Sequence, residues 1–271
     1  MLGAVIGDAA GSPYEFANVK RKDIPLLEDG MIPWSYTDDT IQMVSCADAL
    51  LRCADDWSDD RFRNCLFERL RYFASFRSKR DYGRGFNRWL EMEEPQPYGS
   101  CGNGAAVRAI PIGWFAQSPQ EAEAIAEIAA SITHNHPEGI KGAKATAAAV
   151  WHAANNWMRA EIRNYVEERF YPLDFFLTLD ELRLVFRYDD SCQGTVPPAL
   201  IAFFESSDFE DAIRNAISLG GDSDSLACIT GGVAGAYYGV DVPMARKVLG
   251  RMDEQLADVI EAFCTRYGGG I

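Results

Sequence analysis

The sequence predicts an all-α fold, a single compact orthogonal bundle of about a dozen helices. Three observations carry this. Apolar and small residues recur at helical spacing through most of the chain, alternating strand patterns are almost absent, and helix-start residues head the main periodic runs. Element by element, the opening Gly3-Ala4-Val5-Ile6-Gly7-Asp8-Ala9-Ala10-Gly11 reads as a helix, although glycine costs about 1 kcal/mol there relative to alanine. Gly3, Gly7 and Gly11 therefore imply close helix packing or backbone approach to a ligand. On the packing reading, Asp8 and Glu15 face water. Glu15 lies just past the helix end, where its carboxylate can reach a site.

From Asp38, the residues Ile41, Val44, Ala47 and Leu51 recur at helix spacing with Thr37 as N-cap. Further helices are expected at 59–76, after Gly104-Ala105-Ala106, at 119–132 behind Pro119, and from Pro137 to about Met158. The remainder fall at 161–170, 197–206, 208–219, 224–238 and 253–266. Two long connections, 18–36 and 77–104, carry Pro, Gly and charge, and loops of that length inside a compact domain tend to be functional. No linker, repeat or low-complexity tract divides the chain, so residues 1–271 read as one domain.

Composition narrows the function classes. At 48% hydrophobic and 24% charged, the chain is globular and not disordered. The 26 Lys+Arg against 40 Asp+Glu give 26 − 40 = −14, which argues against general nucleic-acid binding. The acid is either spread for solubility or collected to hold cations. No stretch approaches the roughly 18 apolar residues of a membrane span, and the opening segment lacks the basic region of a secretory signal. Seven scattered cysteines without a Cys-x-x-Cys pair fit a reduced, cytoplasmic protein with neither a zinc site nor a disulfide framework.

Four segments could carry chemistry. Thr37-Asp38-Asp39-Thr40 sets two carboxylates and a hydroxyl at a helix start. That either complements the helix dipole or supplies hard oxygen donors for Mg²⁺ or Mn²⁺. Gly220-Gly221-Asp222-Ser223-Asp224-Ser225 adds two more carboxylates. On a continuous helix Asp222 and Asp224 would diverge by about 200°, but on glycine hinges they can converge. Together the two clusters hold enough donors for two shared cations. Gly99-Ser100-Cys101-Gly102-Asn103-Gly104 exposes backbone N–H groups at a helix start, a favourable place for phosphate, and matches neither a Walker A loop nor a dinucleotide fingerprint. Thr133-His134-Asn135-His136-Pro137 holds two of the three histidines. Without a partner cluster they do not read as zinc ligands, which leaves a hydrogen-bonding role at a ligand or a plain helix-joining turn.

In this order (Gly-Asp-Ala-x-Gly-x-x-x-Glu, Tyr-Thr-Asp-Asp-Thr, Gly-Asn-Gly-Ala, Thr-His-x-x-Pro, Gly-Gly-Asp-Ser-Asp-Ser) the motifs resemble those of the ADP-ribosylglycohydrolase family, the all-α dinitrogenase-reductase-activating-glycohydrolase-like group. The resemblance spans about residues 2 to 264. It implies a binuclear Mg²⁺ or Mn²⁺ centre held by Thr37, Asp38, Asp39, Asp222, Asp224 and Ser225, the last standing where threonine is more usual. It implies Glu15 as an acid/base group at the metals, with Asp38, Asp39 and Asp224 in the catalytic centre. By the same resemblance Ser100, Gly102, Asn103 and Gly104 hold a diphosphate and its ribose, and His134 lies beside the adenosine portion. Some arginine-directed members place an aspartate three residues before the Asn of the Gly-Asn-Gly loop, where this chain has Ser100. That is closer to the serine-directed branch, but one position leaves the linkage open.

The implied activity is hydrolysis of the glycosidic bond between ADP-ribose and a modified acceptor, foremost an ADP-ribosylated protein, with ADP-ribose as product. The chemistry is consistent with it, since an acidic protein that binds a diphosphate must use metal, backbone N–H groups and helix dipoles. Two alternatives share these residues: a non-catalytic ADP-ribose-binding protein of the same fold, and a metal-dependent nucleotide phosphohydrolase.

Overall fold

Short polar side chains cap half of the helices described below. Thr37, Ser58, Ser118, Thr178, Ser191, Asp208 and Asp241 each accept a hydrogen bond from a backbone N–H of the first turn they precede. The computed structural model describes residues 1–78, 82–173 and 178–268. Among them run fourteen α-helices: α1 (Leu2–Gly11), α2 (Asp38–Cys53), α3 (Asp59–Phe73), α4 (Arg84–Glu91), α5 (Gly104–Phe115), α6 (Pro119–Ser131), α7 (Pro137–Ala154), α8 (Arg159–Arg169), α9 (Leu179–Val185), α10 (Cys192–Phe204), α11 (Phe209–Ile217), α12 (Ser223–Tyr238), α13 (Val242–Leu249) and α14 (Glu254–Tyr267). No strand occurs among the described residues, only an isolated antiparallel bridge between Gly102 and Ser191. The fold is all-α as expected. No helix among the described residues is long and apolar enough to cross a membrane.

Several boundaries differ from the sequence reading, each for a local reason. Helix α10 starts at Cys192 and not at Pro197, because Ser191 caps it and the Cys192 N–H donates to the Cys101 carbonyl. Pro197 and Pro198 therefore sit inside the helix, and the N–H donors they lack would have served Gln193 (exposed) and Gly194 (half-buried). Helix α7 stops at Ala154 and not near Met158, where Asn156 takes a left-handed conformation (φ 62°). Within the connection 77–104, whose residues 79–81 lie outside the described residues, α4 forms. Like α9 and α13 it has no more than eight residues, too few turns for a periodic signal.

The core is one contiguous apolar cluster around α1, α2, α5, α7, α10 and α12. Its tightest seam joins α1 to α12. Gly3, Gly7 and Gly11 lie four apart and so share one face of α1. A Cβ at Gly3 would stand 2.2 Å from the Gly231 carbonyl oxygen, at Gly7 2.0 Å from that of Ala227, and at Gly11 2.4 Å from that of Ser223. Only hydrogen at those positions lets the backbones meet, and this brings the start of α12 beside the end of α1. Helix α2 packs on α3 and α5, and α5 on α7, so that the starts of α2, α5 and α12 face a common cavity.

Candidate active site

The cavity measures about 370 Å³ and is lined by Glu15, Asp38, Asp39, Ser100, Gly102, Asn103, Gly104, His134, Asp222, Asp224 and Ser225 from the predicted set. Gln42, Tyr98, Tyr188, Asp190 and the α4 entry Gly83–Phe86 complete its walls. These residues come from segments far apart in the chain, so packing and not local sequence gathers them. Thr37 alone of the predicted residues is not on the wall. Its hydroxyl donates to Asp8 Oδ1 at 2.7 Å and accepts from the Asp39 N–H at 3.2 Å.

Asp8 corrects the expectation that it faces water. It is fully buried and accepts from the N–H groups of Thr37 (2.9 Å) and Thr40 (3.2 Å) and from both hydroxyls. The last turn of α1 is thereby clamped to the first turn of α2, which fixes Asp38 and Asp39. Its own carboxyl is raised by burial, with those four hydrogen bonds opposing the rise.

The α12 entry follows a comparable logic. Gly220 (φ 70°) and Gly221 (φ 73°) take the left-handed conformations that side chains avoid. Asp222 then occupies the N-cap position without capping. Its Oδ2 instead accepts from Asn103 Nδ2 at 2.7 Å, and that amide also donates to Thr195 Oγ1 at 3.1 Å. Asn103 thus ties the glycine loop to the acidic segment. Ser225 Oγ donates to Asp39 Oδ2 at 2.7 Å, joining the two carboxylate clusters across 186 residues of sequence. Glu15 follows a short 3₁₀ turn, Ser12–Tyr14, and is held close by the Phe16 N–H donating to the Gly221 carbonyl at 3.4 Å. One oxygen from each of Glu15, Asp222 and Asp224 lies within 4.8 Å of the others.

So many buried carboxylates resist ionising together. Burial, then Asp8 and Asp222, push Asp38 up to about 8. Burial and the neighbouring Asp38 hold Asp39 well above the usual carboxylate range, and burial with Asp222 and Asp39 does the same to Asp224. Asp224 Oδ1 is buried without a hydrogen-bond partner among the described residues. Hard anionic oxygens, crowded and partly unsatisfied, are what a divalent cation needs, so the donor set fits Mg²⁺ or Mn²⁺.

On the opposite wall, Ser100 Oγ accepts from the Gly102 N–H at 3.2 Å. His134 is buried with its Nε2 facing Gly102 and Gly104, whose added Cβ atoms would lie 3.5 and 3.7 Å from it. Burial, then the charge of Arg108, holds its pKa well below the ordinary value, so the ring is neutral. His136 takes a separate role: its Nδ1 accepts from the Glu138 N–H and caps α7.

Sequence reasoning missed Asp8, Thr40, Gln42, Arg108 and Tyr188 because their roles arise from contacts between distant elements. Thr40, the last residue of the Thr-Asp-Asp-Thr run, was the one local signal for the clamp on Asp8.

The sequence model of the ADP-ribosylglycohydrolase family matches residues 1–269. A Pseudomonas putida protein named ADP-ribosylarginine hydrolase Tri1 is 27% identical over 89% of this chain and 70% of its own length. A Danio rerio protein named ADP-ribosylhydrolase ARH3 is 26% identical over 92% of this chain and 84% of its own. A solved chain from an ADP-ribosylglycohydrolase-related protein complex superimposes with a TM-score of 0.69 at 23% identity, covering 98% of this chain and 97% of that one, and so shares the fold.

Proposed function

Because the chain belongs to the ADP-ribosylglycohydrolase family, whose chemistry is hydrolysis of ADP-ribose linkages, we propose that it cleaves the glycosidic bond between ADP-ribose and a modified protein side chain, releasing ADP-ribose. Residues 1–271 act as one domain in this reading. The observation that carries it is the convergence of Glu15, Asp38, Asp39, Asp222 and Asp224 on a cavity whose other wall is a glycine loop at a helix start.

Asp38, Asp39, Asp222, Asp224 and Ser225 would hold two Mg²⁺ or Mn²⁺ ions, with Thr37 supporting Asp39 through its cap. When bound, such cations supply Lewis-acid character and balance the buried negative charge. The chain's own groups do the rest. The Gly104 end of the loop, at the N-terminus of α5, binds the diphosphate, since the Gly102 N–H is given to Ser100 Oγ and the Asn103 N–H to the Asp190 carbonyl. Asn103 keeps that loop in register with Asp222, which sets the distance from diphosphate to reacting ribose. Water attacks the anomeric carbon, the bond to the acceptor breaks, and Glu15 takes the proton from the water or delivers one to the departing acceptor.

The test is product analysis. Mixing an ADP-ribosylated protein with the chain and Mg²⁺ should release intact ADP-ribose, and Asp224→Asn should not release it. Release of phosphate or a mononucleotide would instead establish a phosphohydrolase, and tight ADP-ribose binding without turnover would establish a binding protein. Substrates linked through arginine, serine and nucleic acid, run side by side, identify the acceptor.

A further inference from the structure

Arg108 is fully buried on α5, and every hydrogen bond it donates goes to a neutral acceptor. Nε and Nη2 donate to Gln42 Oε1 at 3.1 and 2.7 Å, and Nη1 donates to the Ala129 carbonyl at 2.9 Å and to Thr133 Oγ1 at 3.0 Å. A guanidinium can only donate, so the Thr133 oxygen is an acceptor in that bond. The same oxygen lies 2.6 Å from His134 Nδ1. If Nδ1 carried the hydrogen, Thr133 would accept twice. Its own hydroxyl hydrogen, in a fully buried residue, would then have no acceptor among the described hydrogen bonds. If the hydroxyl donates to Nδ1, every donor is used, and buried donors are used.

We infer that Arg108 and Thr133 form a relay that holds His134 as the neutral tautomer protonated at Nε2 and presents that N–H to an anionic oxygen of a nucleotide diphosphate at the Gly102–Gly104 loop. The direction is set by geometry, because Nε2 is the ring atom that faces both glycines. Burial and the Arg108 charge keep a second proton off the ring, so the donor stays single and fixed. Arg108 and Thr133 are positioning residues, acting through His134. Only the ligand's identity rests on the proposed function; the tautomer does not.

Histidine side-chain ¹⁵N NMR of the full chain tests the tautomer without ligand, the His134 signals among those of three histidines being assigned by their loss in His134→Asn. Nδ1 should show the pyridine-type shift and Nε2 the pyrrole-type shift. Thr133→Val removes the hydroxyl at nearly constant volume; it should mix the two tautomers and weaken ADP-ribose binding about tenfold, the range expected for one hydrogen bond to a charged group. Thr133→Ser should restore both readouts. A pyrrole-type Nδ1 in the wild-type protein overturns the relay. So does a folded Thr133→Val variant with an unchanged ¹⁵N signature, or one whose altered signature leaves ADP-ribose affinity intact. If the wild-type chain shows the expected shifts but does not bind ADP-ribose, the proposed function fails and the tautomer assignment stands.

Discussion

Glu15 and Asp224 share a cavity and a charge, yet they predict different defects. Asp224 is buried among Asp222 and Asp39 and has an oxygen without a partner among the described residues, which in the proposed centre is offered to a cation. Asp224→Asn should lower Mg²⁺ affinity and turnover together, with excess Mn²⁺ restoring part of the rate. Glu15 is half-buried on a connection outside the helices, and Glu15→Gln should leave ADP-ribose affinity intact while turnover falls about 10²–10⁴-fold. A rate within threefold of wild type would remove it from the mechanism. His152 makes a third residue-scale case. It is fully buried, neither ring nitrogen has a hydrogen-bond partner among the described residues, and burial lowers its pKa to about 4. A histidine lowered on folding contributes stability that is present above its unfolded pKa, near 6.5, and is lost as pH falls from there toward the folded value. Thermal melts of His152→Phe should therefore lose less between pH 7 and pH 5 than wild type, and an equal loss would show that His152 does not titrate in that window.

At the scale of elements, the proposed metal ligands sit on helix starts that other helices hold. Ions bridging the α2 and α12 entries should raise the melting temperature by about 5 °C at a hundredfold excess over Kd, and EDTA should reverse the gain. The seam between α1 and α12 gives a sharper test. Gly7→Ala places a methyl group 2.0 Å from a backbone oxygen and should cost at least about 2 kcal/mol, whereas Gly83→Ala meets nothing within 4 Å and should be near neutral in chemical denaturation. This seam also shows what could be read in advance. Three glycines in one helix announced a close neighbour, and Asp-Asp and Asp-x-Asp at helix starts announced a site, because residue type alone carries those signals. Asp8 could not be read this way. An aspartate on a helix looks solvent-facing until Thr37 and Thr40 are known to surround it. Short α4, α9 and α13 escaped for want of turns, and two prolines hid the true start of α10.

Across the whole molecule, the cavity wall holds Glu15, Asp38, Asp39, Asp190, Asp222 and Asp224 against a single cation among the described residues, Arg84. Arg88, exposed on the same helix, is not on that wall. If wall charge governs entry of a diphosphate, Arg84→Ala should weaken ADP-ribose binding about fivefold at physiological salt and Arg88→Ala should not. Equal losses in a salt titration would point to net charge instead. The bond between Ser225 and Asp39 has a consequence of another kind, in time. Its two ends are separated by 186 residues, which a ribosome adding about 5–20 residues per second takes roughly 10–40 s to make. Through that interval the nascent chain carries a glycine-faced α1 with nothing to cover it and an acidic α2 with no second set of carboxylates. Helical proteins rich in local contacts fold fast, but this seam and this bond join the two ends of the chain and form only once α12 has been made. Until α12 emerges, α1 lacks the helix it packs against most closely, and a chain cut short before residue 220 has neither seam nor site.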